Sequence, residues 1–316
     1  MKRDASFRSE GADLAAWLYL PDATPPWPLV IMAHGYSATR GMVTDRFAEV
    51  FRDHGLAALL YDHRGFGASG GDVRQQINPW IQARGYRDAL RFAATLDDVD
   101  SDRVALWGDS LSGEVALAVA AVDDRVAALV VQVPAFGDDP LPDPDGAQFR
   151  AFRETLLSGN VEPSGSDEVA APLPVVSDNQ IHRPSALLPI TAFRWFTEYG
   201  KGKGWINEIT SARPKTQVPW RPSPCPAHVS CPSLFVVAPD DEMEGADPGV
   251  ARDAWEKLTC AKKWMEIRGG HFGLLHFPSS EFERASLAQA EFLSRHLIEN
   301  FIHTPPDPRN ERGTIT

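Results

Sequence analysis

The sequence predicts an α/β fold with a mostly parallel central sheet flanked by helices. Apolar runs such as LVIM at 29–32 and LAALLY at 56–61 show no alternation of polar and apolar residues. Such runs are typical of strands that are buried on both faces of a sheet. Segments with a helical spacing of apolar residues lie between these runs, and this alternation is the pattern of right-handed β-α-β units.

The first half of the chain is assigned in order from its apolar patterns and its turn residues. Two alternating segments at 6–21 predict a hairpin around the Gly-Ala-Asp turn at 11–13, and Gly55 ends the first helical pattern. The further elements expected here are a strand at 27–33, a helix at 42–55, a strand at 56–61, a helix at 79–97, a strand at 103–107, a helix at about 111–121 and a strand at 125–133.

The alternation breaks between residues 134 and 228, where proline-rich loops surround helical pieces at 145–158 and 185–200. So long an irregular stretch in a compact domain is typical of an active-site lid or an insertion. The alternation returns with strands in 231–241 and 261–271 and helices at 247–258 and 279–298. We therefore expect a core of 1–133 and 229–302, a cap (lid) insertion of 134–228 after the sixth strand, and a disordered tail of 303–316.

Composition excludes several classes of protein. The chain has 31 Lys and Arg against 43 Asp and Glu, and a formal charge of −12 argues against a nucleic-acid partner. Three irregularly spaced cysteines predict free thiols, and no Cys or His pattern suggests a metal site. The sequence shows no signal peptide and no membrane-spanning run, so we expect a cytoplasmic protein without a membrane partner.

The stretch GDSLSG at 108–113 joins a predicted strand to a predicted helix. A serine at such a sharp turn projects outward, and the residues two before and two after it must be small. Gly108 and Ser112 meet this requirement around Ser110, so the stretch fits the G-x-S-x-G elbow with serine in the last position. The following helix directs its dipole at an anion formed there, which suits a nucleophile that a base activates.

From these motifs the chain resembles the α/β-hydrolase superfamily over about residues 6–300, in particular dienelactone hydrolases and small esterases. The family order of nucleophile, acid and histidine is matched by GDSLSG, LFVVAPDDEM and RGGHFGLL. The resemblance therefore implies a catalytic triad of Ser110, Asp241 and His271. Asp240 also follows the strand and stays open as the acid, although the spacing favours Asp241.

The resemblance also implies the groups that surround the triad. The His-Gly turn at 34–35 implies an oxyanion hole made of the backbone amides of Tyr36 and Leu111. Asp62, His63 and Arg64, in the loop after the next strand, are expected to be structural. Aromatic residues of the insertion suggest an apolar substrate pocket, and the segment 192–200 suggests Trp195 and Phe196 as its wall.

The sequence thus predicts a serine hydrolase that cleaves a carboxylic ester or lactone through an acyl-enzyme, with a small-molecule substrate and no cofactor or metal. The same elbow serves acyltransferases, thioesterases and amidases, and these stay open. A non-catalytic small-molecule receptor on the same fold is the alternative from another class. The resemblance adds a possible homodimer.

Overall fold

An eight-stranded sheet forms the centre of the protein. The computed structural model describes residues 1–143 and 145–299. Its strands are β1 (Lys2–Ser9), β2 (Ala12–Tyr19), β3 (Trp27–Ala33), β4 (Ala57–Tyr61), β5 (Gln76–Ile77), β6 (Val99–Asp109), β7 (Val126–Gln132), β8 (Thr210–Ser211), β9 (Ser233–Val237) and β10 (Lys262–Glu266). The sheet order is β1-β2-β4-β3-β6-β7-β9-β10, and β5 pairs with β8 outside this sheet. Strands β1, β2 and β4 are antiparallel neighbours, whereas the other pairs are parallel.

Helices connect and flank the strands. They are α1 (Thr44–Asp53), α2 (Pro79–Ala93), α3 (Ser110–Ala120), α4 (Gly146–Ser158), α5 (Ile190–Tyr199), α6 (Pro248–Lys257), α7 (Gly270–Gly273) and α8 (Ser280–Ser294), which continues as a π-helical turn at Arg295–Glu299. Ser279 caps α8 by accepting the Phe282 N–H at 3.0 Å, and acidic residues in its first turn suit the helix dipole. No helix in the described ranges has both the length and the apolar character to cross a membrane.

Both faces of the sheet are buried at its central strands, as the unbroken apolar runs predict. In β3, Leu29 and Ile31 belong to a core cluster that includes α2, α3 and α6. Val30 and Met32 belong to a second cluster that includes α1 and α8. Successive side chains of a strand point to opposite faces, so helices cover the sheet on both sides. The prediction of a mostly parallel sheet flanked by helices is confirmed.

Some element boundaries differ from those predicted. The hairpin turns at Glu10 and Gly11, which both have positive φ (42° and 77°), so the predicted Gly-Ala-Asp turn is wrong and residues 12 and 13 belong to β2. A two-residue turn with two positive φ values matches the twist of the flanking strands. Helix α5 begins at Ile190 rather than at the predicted residue 185, because the ring of Pro189 disfavours a helical conformation at the residue before it.

The segment 134–228 packs against the rest of the protein at several places. Strand β8 pairs with β5, which lies in the loop after β4. Phe152 of α4 lies 4.7 Å from the Trp80 ring of α2, and Trp195 of α5 lies 5.3 Å from the Phe272 ring, between ring centroids. The division of the chain into core and cap stays a prediction, and the expected tail at 303–316 lies outside the described residues.

The three cysteines all lie in the second half of the chain. Cys225 and Cys231 are buried and Cys260 is half-buried, and each is a free thiol. This agrees with the prediction made from their odd number and irregular spacing.

Candidate active site

The predicted elbow lies where β6 ends and α3 begins. Ser110 is the first residue of α3 and has φ 52°, a left-handed conformation that is uncommon outside glycine and concentrates at functional sites. A Cβ atom on Gly108 would lie 2.1 Å from the Ser112 carbonyl oxygen, so only glycine fits there. The turn therefore depends on Gly108 and holds Ser110 in a strained conformation.

The hydroxyl of Ser112 links three segments. It donates a hydrogen bond to the His34 carbonyl oxygen at 2.7 Å, and the His63 Nε2 atom lies 2.9 Å away. A hydroxyl has one proton, so the His63 Nε2–H must be the donor of the second bond. Burial lowers the pKa of His63 to about 3, which keeps the ring neutral. The serine in the last position of the elbow is thus a structural bridge as well as a small residue.

The candidate histidine lies in α7, directly after two glycines. The His271 Nδ1 atom lies 2.8 Å from Asp241 Oδ2, which is the distance for an N–H donor and a carboxylate acceptor. Asp240 instead accepts the backbone N–H groups of Gly269 and Gly270, with Oδ1 at 3.1 and 3.3 Å. Of the two candidate acids, the structure brings Asp241 to the imidazole and Asp240 to the backbone before it.

Glu242 is a further residue of this site that the sequence reasoning did not single out. Its Oε2 atom accepts the backbone N–H of His271 at 2.8 Å, and its other oxygen accepts the hydroxyl of Thr191 from α5. A Cβ atom on Gly270 (φ 67°) would lie 2.3 Å from Glu242 Oε2, so glycine is required for this approach. The acidic run at 240–242 was the available signal, because consecutive carboxylates after a strand can each hold a different part of the same loop.

Gly35 brings the turn after β3 into contact with the elbow. Its N–H donates to Asp109 Oδ1 at 2.8 Å, and a Cβ atom on it would lie 2.7 Å from Ser110 Cβ. Tyr36 follows with φ 35°, and burial raises the pKa of its phenol while a hydrogen bond with Ser211 opposes that rise.

A cavity of about 150 Å³ contains the predicted site residues. Ser110 and His271 share its wall, and the two residues predicted to form the oxyanion hole, Tyr36 and Leu111, lie beside them. The Leu111 N–H is in the first turn of α3, where backbone donors have no partner within the helix. Most other lining residues are apolar, and they include Ala38, Leu187, Trp195, Phe196, Met243, Phe272 and Leu275. The structure therefore brings all seven predicted site residues together, six on the cavity wall and Asp241 behind His271.

Asp109, between the glycine and the serine of the elbow, is an unusual carboxyl group. It is 4% exposed, and burial raises its pKa to about 6 although the charges of His34 and His271 and the Gly35 N–H oppose the rise. The carboxyl thus lies next to the candidate nucleophile in a setting that disfavours its ionised form. Ionising Asp109 therefore costs the folded state free energy, and this cost depends on pH.

The loop after β4 contains the charged residues that were expected to be structural. Asp62 is buried and forms an ion pair with Arg40 at 2.9 Å. Burial alone would raise the pKa of Asp62, but His34 and Arg40 outweigh it and hold the value below its usual range. Arg64 pairs with Glu162 at the surface. These contacts hold loops together, and none of these side chains lines the cavity.

Comparison with known proteins gives relatives that share most of the chain. Over 304 residues it is 37% identical to the thiohydrolase apmlB of Arthrinium phaeospermum, a match that covers 92% of this chain and 95% of that one. Residues 10–143 match the family model of the X-Pro dipeptidyl-peptidases of the S15 family. The quorum-quenching protein AidA of Acinetobacter baumannii (strain MDR-ZJ06) is 40% identical over 131 residues, and this match spans only 43% of AidA.

A solved structure matches the fold over nearly the whole chain. The α/β hydrolase GrgF from Penicillium sp. sh18 superposes with a TM-score of 0.69 at 25% identity, covering 94% of this chain and 99% of GrgF. In sequence, the chain is 36% identical over 134 residues to the polyketide transferase grgF of Penicillium sp, a match that covers 42% of this chain and 45% of grgF. The fold, the elbow at 108–113 and the relative that is 37% identical over 92% of this chain thus indicate the same family.

Proposed function

Because the chain belongs to the α/β-hydrolase family, we propose that it is a serine hydrolase that forms an acyl-enzyme on Ser110. The bond that it cleaves is a carboxylic ester, a lactone or a thioester. The observation that carries the proposal is the cavity that Ser110 shares with His271, whose Nδ1 atom lies 2.8 Å from Asp241 Oδ2. A nucleophile, a base and a group that orients the base are the parts that acyl transfer needs.

In the proposed mechanism, Ser110 Oγ attacks the substrate carbonyl carbon while His271 Nε2 takes the hydroxyl proton. Asp241 accepts the Nδ1–H bond, which fixes the tautomer and stabilises the imidazolium. The oxyanion accepts hydrogen bonds from the backbone amides of Tyr36 and Leu111, and such donors contribute about 3–4 kcal/mol each. His271 then protonates the leaving group, and a water that it activates releases the acid and regenerates Ser110.

The apolar cavity favours an acyl group without charge. Its volume of about 150 Å³ is close to that of an engineered cavity that binds benzene, so it fits one small acyl or aromatic group rather than a whole large substrate. The relative named a thiohydrolase favours a thioester among the possible bonds. A matched oxygen ester and thioester with the same acyl group separate these cases through their kcat/KM values.

Acyl transfer to an alcohol or amine is the second candidate, since a relative of this chain is named a polyketide transferase. It uses the same acyl-enzyme, and only the group that attacks it differs. Added acceptor would then yield acylated product in excess of free acid. If added acceptor yields no acylated product and leaves the rate of hydrolysis unchanged, the protein is a hydrolase and not a transferase.

The decisive experiment is intact mass after treatment with a fluorophosphonate probe, which labels activated serines. We expect one adduct on the wild type, none on Ser110→Ala, and an unchanged adduct on Ser158→Ala, a matched control at an exposed serine of α4. Circular dichroism of each variant confirms that it is folded. Absence of an adduct on folded wild type would contradict the proposal and bring forward the non-catalytic receptor.

A further inference from the structure

A second cavity, of about 500 Å³, adjoins the first. Ala135 lies in the wall of both cavities, and its N–H donates to the Ser110 carbonyl oxygen at 3.2 Å. The other walls come from the chain after β7 and from residues 220–223, so the second cavity lies beside the candidate nucleophile. The mechanism proposed above uses none of the polar groups in it.

The most unusual of these groups is Glu114, which lines the second cavity. It lies on α3 four residues after Ser110, so it is one helical turn further along and near the same face of the helix. The residue is 8% exposed, and the group that faces its carboxyl, the Trp220 indole N–H, lies beyond hydrogen-bond distance. A buried carboxyl without a partner is unfavourable, so the group calls for a ligand or another compensating contact.

Its surroundings do not supply that compensation. The indole N–H of Trp220 faces the carboxyl and lowers its pKa somewhat, yet the indole nitrogen has no hydrogen-bond partner within 3.5 Å among the described residues. Burial dominates and raises the pKa of Glu114 to about 8. Burial also raises the pKa of the neighbouring Cys225 thiol, and the Glu114 carboxyl adds to that rise. No cation of the described chain pairs with Glu114.

The charge of the cavity wall selects the kind of ligand. Asp138 and Asp139 line it together with Glu114, against the exposed Arg221 as the cationic lining residue. Asp138 accepts the Gly245 N–H at 2.8 Å, which leaves its second oxygen uncommitted by that bond. Three carboxyl groups and one guanidinium give a site that attracts a cation and repels an anion.

We propose that the second cavity binds an alkylammonium group, which donates hydrogen bonds to the Glu114 carboxylate. We assign this group to the substrate or to an acyl acceptor, and this assignment rests on the proposed function. Four residues of helix rise by about 6 Å, so the ammonium group would lie a few bonds from the carbonyl that Ser110 attacks. The neutral acyl group and the charged group would then occupy adjoining cavities.

The test measures binding and needs no turnover. The probes are cyclohexylmethylamine and its neutral analogue cyclohexylmethanol, titrated by calorimetry into wild-type protein at pH 6.5 and 9.0. A primary alkylamine resembles the lysine side chain, with a pKa of about 10.4, and stays charged at both values. Any change in affinity therefore reports groups of the protein, and those that face this site are Glu114, Asp138, Asp139, Arg221 and Cys225.

We expect the amine to bind wild type at pH 9.0 at least about tenfold more tightly than the alcohol, and more weakly at pH 6.5, where Glu114 holds its proton. Glu114→Gln removes both differences. Glu283→Gln, which removes the same charge at an exposed site on α8, binds as the wild type does. Equal binding of amine and alcohol to wild type overturns the proposal, as does unchanged amine affinity in Glu114→Gln.

These results are independent of the fluorophosphonate experiment. Amine binding without an adduct at Ser110 would retain the cation site and reject the acyl-enzyme. An adduct without selective amine binding would retain the hydrolase and reject the cation site.

Discussion

Replacing Asp109 by asparagine is expected to stabilise the protein at neutral pH and to change nothing at low pH. The carboxyl is buried and its folded-state pKa is about 6, whereas the ordinary value is 3.8. Asparagine keeps an oxygen that can accept the Gly35 N–H, which Asp109 accepts at 2.8 Å, so the contact with the turn after β3 survives. The substitution therefore removes the ionisation and little else.

The magnitude follows from proton linkage. Below pH 3.8 the carboxyl is protonated in both states and costs nothing. Between 3.8 and about 6 the unfolded chain releases the proton and the folded protein retains it, so stability falls as pH rises. Above 6 the full difference applies, and about two pKa units correspond to about 3 kcal/mol. Asp109→Asn should recover up to this amount of unfolding free energy at pH 8.

The assay is urea unfolding of wild type and Asp109→Asn at half-unit steps from pH 4 to pH 8. Subtracting the two curves cancels every other titrating group. Asp102→Asn, at an exposed position, measures the effect of removing one negative charge from this acidic chain. A difference between wild type and Asp109→Asn that stays constant over the whole range would refute the reasoning, because it would mean that Asp109 titrates alike in both states.

Two further predictions concern groups around the elbow and the histidine. Ser112→Ala should lower the unfolding free energy by about 2 kcal/mol, because it leaves the buried His63 N–H without an acceptor. Urea unfolding measures this loss. An unchanged midpoint would show that the hydrogen bonds of Ser112 contribute nothing to stability. Asp241→Asn should lower kcat by about 10⁴-fold, whereas Asp240→Asn, which alters only the backbone contacts before His271, should retain most of it. Steady-state kinetics on one ester compare the kcat values of the two variants. A larger loss in Asp240→Asn than in Asp241→Asn would assign the triad acid to Asp240.

Much of the fold could be predicted because local patterns determine it. The runs at 29–32 and 56–61 are apolar at every position, and their short length favours strands covered on both faces over buried helices. The elbow was also readable, since Gly108 and the small residue at 112 are needed by the turn itself. The hairpin turn was misplaced by one or two residues, because Gly11 suits several turn types and the pairing of β1 with β2 decides among them.

The contacts that complete the site join segments far apart in the chain, and no periodic pattern reports them. Asp240 and Asp241 follow the same strand, and only the position of the loop around His271 shows which carboxylate contacts the ring. Glu242 was missed for the same reason. Glu114 could not be singled out in the sequence, because it lies in an apolar helix and shares its cavity with residues 220–223, more than 100 positions later.

The hydrogen bond between Ser112 and His63 restricts the substitutions that the fold tolerates at these two positions. Glycine would also fit the last position of the elbow, but it would leave the imidazole of His63 without its hydrogen-bond acceptor. A substitution at either position thus lowers stability unless the other changes as well. Among relatives of this chain, residues 63 and 112 should therefore vary as a pair, with histidine at 63 where residue 112 is serine and another residue there where it is glycine.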